Sequence, residues 1–576
     1  MDNRAIARIL FEVADLLDIK GDDSFRIRSY RTAGDCLASL SQDVAEMVRR
    51  GDDLRSLPGV GAGIASKVCE IVGTGTCAYH RELRAQVPAG LLELLSIPGL
   101  GPRGVRLVWS RLGVTSAREL EAAIGDGRFR TLPGMKEKKE ARILRGLRER
   151  IGASRRFLLP EADAAAARLT LYLRERGAER VETAGSWRRR RESIGDLDLI
   201  VVGSDPQALS DAFVAHPDVE EVLGHGAAKS SVVLASGLQV DLRPSATESL
   251  GAALQYFTGS KAHNVALRER AVRRGLKLNE YGLFKVETQE RLAGETEDGI
   301  YRALGLAFIP PEMREDRGEI AAAEAGSLPR LVEETDIRGD LHCHTTESDG
   351  RDSLEDMLEA ARRRGLSYLA FTEHSRAIPS RTRGTGMDEA RCLEHIARIR
   401  AVQQRTAGFR ILAGAEVDIL PDGRLDMADD VLAQLDVVVG SLHSRFDLAR
   451  EAMTERLVRA FENPHLDVWG HPLARLILKR DPVDLDLERV LDQAARCRVA
   501  IEVNCQPDRL DLPDHLLRPA RDRGLKFVIS TDSHSVQHFA HLSYGVAQAR
   551  RGWLGPDDVL NTRDADGFLS SLRRSA

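Results

Sequence analysis

The sequence predicts a multidomain α/β protein, and three observations predict it. Apolar residues recur at three- and four-residue spacing through the first ~155 positions, as in ARILFEVADLL and GLLELLSI, which is the period of amphipathic helices. From residue 156 strand-like runs alternate with helical ones. From Gly339 onward short apolar strands alternate with helices for more than 200 residues, and each strand ends in residues that can ligate a metal. A βα-barrel places its site in that way, at the C-terminal ends of parallel strands. With 576 residues the chain exceeds one core, and roughly three to five domains are expected.

Composition narrows the classes. Charged residues make up 30% and apolar residues 43%, the balance of a globular rather than a disordered chain. No apolar run approaches the ~20 residues that span a bilayer, so no membrane partner is expected. The opening MDNRAIARILFEVADLLDIK reads as an amphipathic helix rather than a signal peptide. Cys36, Cys69, Cys77, Cys343, Cys392, Cys497 and Cys505 are scattered, without a CxxC, which disfavours a disulfide framework and fits a reducing cytoplasm. The net charge of −5 argues against a DNA-coating protein, but charge is uneven. Between Lys136 and Arg156 nine Lys/Arg face three Asp/Glu, and Arg188 to Arg191 form an unbroken run. Such patches hold phosphates or form a solvated helix face.

Within the helical region one pattern occurs three times: LPGVGAGIASKV (Leu57–Val68), IPGLGPRGVRLV (Ile97–Val108) and LPGMKEKKEARIL (Leu132–Leu144). Glycine permits positive φ and close approach of a ligand, and the following helix start offers free N–H groups to a phosphate. The pattern resembles the helix-hairpin-helix motif, which grips the DNA backbone without reading sequence. Gly59 and Gly61, Gly99 and Gly101, and Gly134 of the shorter third copy are the expected DNA contacts.

The stretch GSWRRRRESIGDLDLIVV (Gly185–Val202) carries the first chemistry. Asp196 and Asp198 stand two apart on a strand, so both carboxylates face one way. A third acid, Asp241, lies in LQVDLR on another strand. Three such carboxylates suit a pair of Mg²⁺ or Mn²⁺ ions about 4 Å apart, one lowering the pKa of an attacking hydroxyl and one neutralising leaving phosphates. GS-x-R-R followed by G-D-x-D resembles the nucleotidyltransferase superfamily and family-X DNA polymerases in particular. LQYFTGSKAHNVALRERAVRRGLKLNEYGLF (Leu254–Phe284) extends the likeness. The resemblance implies that Asp196 and Asp198 bind both metals, that Asp241 activates the primer 3′-OH and that Arg243 supports it. It implies that Ser186, Arg189 and Gly195 hold a triphosphate, that Tyr256 and Phe257 pack on the sugar beside Gly259, and that Asn264 meets the base edge. Four arginines follow Trp187, where the family often has two and then Gly.

SFRIRSYRTAGDCL (Ser24–Leu37) resembles the family's basic, Tyr-containing helix for a 5′-phosphate. Lys67 falls where animal repair members carry a Schiff-base lysine, although Gly63 replaces a further basic residue there. A lysine with a lowered pKa attacks an abasic-site aldehyde; the competing expectation is a surface lysine.

GDLHCHTTESDG (Gly339–Gly350) opens the last domain. His342 and His344 alternate on a strand, and Asp349 follows. His374, Glu416, His443, His471, Asp532 and His534 then fall at successive strand ends, nine candidates in all. Mixed imidazole and carboxylate ligation suits roughly two or three Mn²⁺, Zn²⁺ or Fe²⁺ ions better than Mg²⁺. The set resembles that of the PHP (polymerase and histidinol phosphatase) domain, a distorted βα-barrel. Glu373 stands where that family usually has Asp, and is expected to support His374 rather than bind metal. Arg445 and Lys479 lie near the strand-end loops.

The resemblances imply a division into an N-terminal helical domain (1–90), fingers with the second and third hairpins (91–155), a nucleotidyltransferase palm (156–248), a thumb for nucleotide selection (249–315), a charged Ala-rich linker (316–338) and the PHP domain (339–576). They imply a bacterial, cytoplasmic, nucleoid-associated repair polymerase, monomeric by default. It takes gapped or primed DNA and dNTPs, fills gaps in base excision repair, and has a Mn²⁺-dependent 3′→5′ exonuclease with abasic-site endonuclease and 3′-phosphatase activities. Two other classes stand against this reading: a small-molecule metallophosphatase with a scaffold front half, and a non-catalytic DNA end-binding protein.

Overall fold

The computed structural model describes residues 3–40, 42–95, 97, 99–136, 139–140, 142–144, 156–377 and 386–572. The basic run Lys136–Arg156 lies largely outside the described residues, as does part of the third hairpin. The chain divides into two compact units, residues 1–154 and 155–576.

The first unit is helical, as its apolar period requires. Asn3–Lys20 and Ser24–Ser39 open it, and Asp23 caps the second helix by accepting from the Phe25 and Arg26 amides. The three Pro-Gly segments share one turn. Val60 N donates to Leu57 O, Leu100 N to Ile97 O and Met135 N to Leu132 O, at 3.0–3.2 Å. The glycine inside each turn has positive φ: Gly59 at 76°, Gly99 at 90° and Gly134 at 76°. That is the backbone of a Pro-Gly turn whose third residue only glycine adopts easily. Val60, Leu100 and Met135 then anchor each turn in the core. The third copy therefore keeps the turn despite losing its second glycine.

The second unit begins with a five-stranded sheet. Its strands are β1 (Arg180–Thr183), β2 (Asp196–Val202), β3 (Val219–Gly224), β4 (Ser230–Leu234) and β5 (Gln239–Pro244), in the spatial order β1-β2-β5-β4-β3. β2 and β5 run parallel, with Asp198 directly opposite Asp241. The helix Leu159–Arg174 covers one face of this sheet with Leu159, Ala162, Ala166, Leu169 and Leu173. The helices Leu250–Thr258, Lys261–Arg273 and Glu297–Ala303 and a small antiparallel sheet follow.

Residues 316–338, expected as a linker, are packed instead. Glu319 is buried beside His263, with its Oε1 2.6 Å from His263 Nδ1, and Val332 N donates to Leu554 O. Alanine and charge composition resembles a solvated connector only until those charges find partners elsewhere in the chain.

The last part is a parallel barrel. Its strands β6 (Gly339–Asp340), β7 (Tyr368–His374), β8 (Arg410–Asp418), β9 (Val437–Ser441), β10 (Val468–Trp469), β11 (Ala500–Asn504) and β12 (Phe527–Ser530) follow in sequence order around the sheet. A parallel bridge between Cys343 and Ser533 brings the two edges together. The strands are buried on both faces, which explains their nearly continuous apolar runs. Tyr368, Ala370, Leu412, Val437, Val439 and Val468 form the inner cluster, stoppered by Leu560, Phe568 and Leu572 from the chain's end. His374 and Glu416 have the same parity along β7 and β8 as these inward residues. They consequently point into the barrel at its C-terminal mouth.

Arginines join the barrel to the preceding sheet. Arg551, with its side chain 1% exposed, donates to Arg189 O (2.6 Å), Glu315 (3.0 Å) and Asp514 (2.7 Å). Arg475 donates to Glu192 at 2.8 Å, Arg317 to Asp514 at 2.9 Å, and Tyr544 Oη to Asp163 at 2.9 Å. Breaking a buried ion pair from one side costs about 3 kcal/mol because the abandoned charge stays buried. Arg551→Ala is expected to lower the melting midpoint of this unit by roughly 3 °C or more, with Arg551→Lys recovering little of it because an ammonium cannot span three acceptors. A midpoint unchanged in a calorimetric scan of Arg551→Ala would contradict this role.

Candidate metal centres

The first centre lies at the ends of β2 and β5. Asp196 and Asp198 share a face by their period, and the parallel register sets Asp241 beside Asp198. Asp196 is exposed while Asp241 is buried. Burial, and then the charge of Asp196, push the Asp198 carboxyl up to about 7. Burial works the same way on Asp241, but hydrogen bonds from Lys229, Ser231 and Gln239 and the charge of Lys229 together hold that carboxyl below its ordinary range. Lys229 Nζ lies 2.6 Å from Asp241 Oδ2. Arg243 lies 3.6 Å from Asp241 and 3.9 Å from Asp198, with its guanidinium 4.3 Å from the centre of the Phe257 ring. Three carboxylates within one sheet end, one of them resisting ionisation, are a donor set that a pair of hard divalent cations fits.

The surrounding residues come from the loop before β2 and the turn after Leu250–Thr258. Gly185 has φ 65°, and a Cβ there would meet Asp198 Oδ2 at 2.7 Å. Ser186 follows in the short helix Gly185–Arg188, and Gly195 directly precedes β2. Tyr256 and Phe257 pack edge to face, 5.0 Å between centroids. Asn264 braces the same turn: its Nδ2 donates to Tyr256 O at 2.6 Å, and its Oδ1 accepts from Gln255 at 2.7 Å.

The arginine run is not a solvated patch. Arg188 forks onto Glu297 and also donates to Thr258 Oγ1 at 2.8 Å. Arg189 pairs with Glu315 at 3.1 Å and donates to the Thr258 carbonyl beside Gly259. Arg190 meets Asp163 at 3.1 Å and Arg191 meets Glu315 at 3.8 Å.

The second centre fills the barrel mouth, and all nine predicted ligands converge there. Their donor atoms form three overlapping groups: His344, Asp349, His374 and His534; His342, His344 and Asp532; His374, Glu416 and His443. His471 Nε2 lies 2.9 Å from Glu416 Oε1. His342 Nε2 and His344 Nε2 are buried 3.4–3.7 Å from oxygens of Glu416 and Asp532, yet neither makes a hydrogen bond to them. Lone pairs of both kinds facing one another across such a gap fit a shared cation. Burial tends to raise the Glu416 carboxyl, but the imidazoles of His443, His342 and His374 hold it well below the usual range. Burial tends to lower His374, but Glu416 and Asp349 raise it to about 10. Imidazole and carboxylate in this ratio suit Mn²⁺, Zn²⁺ or Fe²⁺.

The supporting groups were only partly legible. Glu373 faces away from the ligands, accepting from Thr345 N at 3.0 Å, from Thr345 Oγ1 at 2.6 Å and from Ser348. It braces the loop that carries Asp349. Glu502 on β11 had no motif to mark it. Its Oε1 lies 2.7 Å from His342 Nδ1 and its Oε2 accepts from His471 N at 2.6 Å. Asp418 accepts from His443 N at 3.0 Å, and Asn504 donates to Asp532 at 3.1 Å. Of these, Glu502 orients a metal-binding imidazole, and the others hold the main chain and the carboxylate beside it. An acid inside an otherwise apolar strand, Glu502 in VAIEVN and Asp418 in GAEVD, is the signal that marks two of them. His471 and Asp532 hold φ of 23° and 50°, strained values that cluster at functional sites. Arg445 and Lys479 stay exposed, beside Asp447 and Asp508.

In the first unit, Lys67 donates to Gly63 O at 3.1 Å and its ammonium sits 4.9 Å from the centre of the Tyr79 ring. Arg26 donates to Tyr79 Oη at 2.6 Å, and Tyr30 stacks on the same ring at 6.2 Å. The basic helix and Lys67 thus meet around Tyr79, while an added Cβ at Gly61 or Gly101 would face open space.

Four stretches of the chain match known families. Residues 1–77 match a helix-hairpin-helix domain, 91–149 a SAM-like helix-hairpin-helix tandem, 253–315 the DNA polymerase beta thumb and 340–506 the PHP domain. A probable phosphatase of Thermoanaerobacter sp. (strain X514) is 25% identical over 237 residues, 39% of this chain and 89% of its own. A probable phosphatase of Shewanella sediminis (strain HAW-EB3) is 26% identical over 245 residues, 41% of this chain and 93% of its own. The DNA polymerase/3′-5′ exonuclease PolX of Bacillus subtilis (strain 168) is 35% identical over 578 residues, covering all of both chains. With that end-to-end identity and with hairpin, thumb and PHP matches along its length, the chain belongs to the family-X DNA polymerases that carry a C-terminal PHP domain.

Proposed function

We propose that this chain is a repair-type DNA polymerase that fills gaps at the Asp196/Asp198/Asp241 centre and trims 3′ ends at the barrel centre. The observation that carries the reading is the presence of two separate donor sets in one chain. One is built of carboxylates for hard ions, the other of imidazoles and carboxylates. Bound divalent ions supply the acidified hydroxyl and the charge neutralisation that phosphoryl transfer needs. The protein does the rest. Asp241, held ionised by Lys229 and backed by Arg243, accepts the proton of the primer 3′-OH. Ser186, Arg189 and Gly195 hold the triphosphate, and Tyr256, Phe257 and Gly259 close on the sugar while Asn264 meets the base. In the barrel, Glu502 and Asp418 orient His342 and His443, and Glu373 holds the loop bearing Asp349.

The hairpin glycines Gly59, Gly61, Gly99, Gly101 and Gly134 hold the DNA backbone, and Lys67 is the amine proposed for abasic-site chemistry in base excision repair. A second activity in the barrel, removal of a 3′-phosphate, is favoured by the likeness of 39–41% of the chain to probable phosphatases. The protein is proposed to act as a monomer in the cytoplasm beside the nucleoid; among the described residues no helix is long and apolar enough to cross a membrane.

On a labelled one-nucleotide-gap duplex with Mn²⁺, Asp196→Ala/Asp198→Ala is expected to lose dNTP addition by at least about 1,000-fold while still trimming. His342→Ala/His344→Ala is expected to do the reverse. Loss of both activities in either variant would sink the two-centre reading. The raised Asp198 carboxyl has its own consequence. Near pH 7 a good share of Asp198 is protonated, and ion binding must displace that proton. Calorimetry of Mg²⁺ binding in buffers of different ionisation heat is expected to show on the order of half a proton released per centre at pH 7, shrinking towards pH 8.5, and affinity rising over that range. Asp198→Asn is expected to abolish the release; binding at pH 7 without proton release would contradict the shift.

A further inference from the structure

Hydrolysis in the barrel would build charge on the non-bridging phosphate oxygens, and a protein cation beside the ligand set would share in holding them. Among the described residues, one arginine or lysine side chain lies within 4 Å of a candidate ligand carboxylate of the barrel mouth. Arg509, in the loop after β11, places Nε 3.9 Å from Asp532 Oδ2, with its side chain 21% exposed. Its neighbours in the barrel mouth are committed elsewhere. Arg475 is held by Glu192 and by Leu510 O. Arg480 donates to Ala474 O at 2.8 Å and lies over Phe446. Arg445 and Lys479 extend into solvent, 56% and 65% exposed.

The loop bearing Arg509 is also braced by hydrogen bonds. Gln506 Nε2 donates to the carbonyls of Thr531 and Asp532 at 2.8 and 2.6 Å. Arg509 N and Leu510 N donate to Gln506 O at 2.8 and 2.9 Å, Asn504 N to Asp511 O at 2.7 Å, and Ile477 N to Asp508 O at 2.7 Å. These bonds tie the loop to the strand end that carries Asp532. Asp532 has its own neutral partner in Asn504, so the long contact to Arg509 is not what satisfies it. A guanidinium held beside a metal-binding carboxylate, partly open and without a short carboxylate partner, is built to fork onto phosphate oxygens.

We propose that Arg509 binds a non-bridging oxygen of the phosphate to be hydrolysed in the barrel, and stabilises the charge that builds on it. The assignment rests on the phosphoesterase reading of that centre, and applies equally to a terminal phosphodiester and to a 3′-phosphate.

The test uses the full-length, Mn²⁺-loaded protein and compares wild type, Arg509→Met and Arg509→Lys. Three quantities are read: bound Mn²⁺ by mass spectrometry, thymidine 5′-monophosphate affinity by calorimetry, and kcat/KM for 3′ trimming of a labelled strand. Arg509→Met is expected to bind the nucleotide about tenfold or more weakly and to trim about 100-fold more slowly, with Arg509→Lys recovering part of both. Metal content and dNTP addition are expected to match wild type. Nucleotide affinity and trimming within about twofold of wild type in Arg509→Met would overturn the assignment alone. So would a loss of bound Mn²⁺ that accounts for the defect, since Arg509 would then be bracing Asp532. A wild-type protein that neither binds the nucleotide nor trims would overturn the phosphoesterase reading, and this assignment with it.

Discussion

Like charges crowded at the end of a sheet need a countercharge, and much of this molecule is arranged around that need. Asp196, Asp198 and Asp241 sit at the ends of two parallel strands, where register forces Asp198 and Asp241 side by side. Lys229 and Arg243 approach from the flank and compensate only part of the charge. The barrel mouth repeats the problem with Asp349, Glu416 and Asp532 inside a ring of imidazoles. In both places the fold does the positioning: a two-residue period selects the face, and parallel pairing brings strands with the same polarity to one rim.

The same electrostatic logic holds the second unit together. The four arginines after Trp187 face carboxylates from the thumb, Glu297 and Glu315, and from the helix Leu159–Arg174, Asp163. Arg551 reaches from the barrel side to the main chain of that run. The loop that leads into Asp196 is thereby fastened on both flanks, by Arg475 at Glu192 and by Arg156 at Ser193. An arginine forks onto several acceptors at once, which a lysine cannot do, and the run is arginine throughout.

What could be read from the sequence was local. The Pro-Gly turns, the acids two apart on a strand and the histidines closing each apolar run are set by neighbours a few residues away, and the structure brings all nine barrel candidates into one mouth. What could not be read was distant. Glu502 supports His342 across 160 residues. Lys229 gives no pattern in GAAKSS to say that it will meet Asp241. Residues 316–338 have the composition of a connector, yet Glu319 becomes the buried partner of His263, 56 residues earlier. The ion pairs of the arginine run left no trace beside it because its acidic partners lie in other segments. A residue's partner at long range is a property of packing, and a single sequence carries no mark of it.

The central claim is that one chain holds two independent divalent-ion centres. Anomalous diffraction from crystals of the full-length protein soaked in Mn²⁺ tests it most directly. One group of peaks is expected among Asp196, Asp198 and Asp241 and a second group in the barrel mouth among His342, His344, Asp349, His374, Glu416, His443, His471, Asp532 and His534. Peaks confined to a single one of these places, or lying outside both, would contradict it.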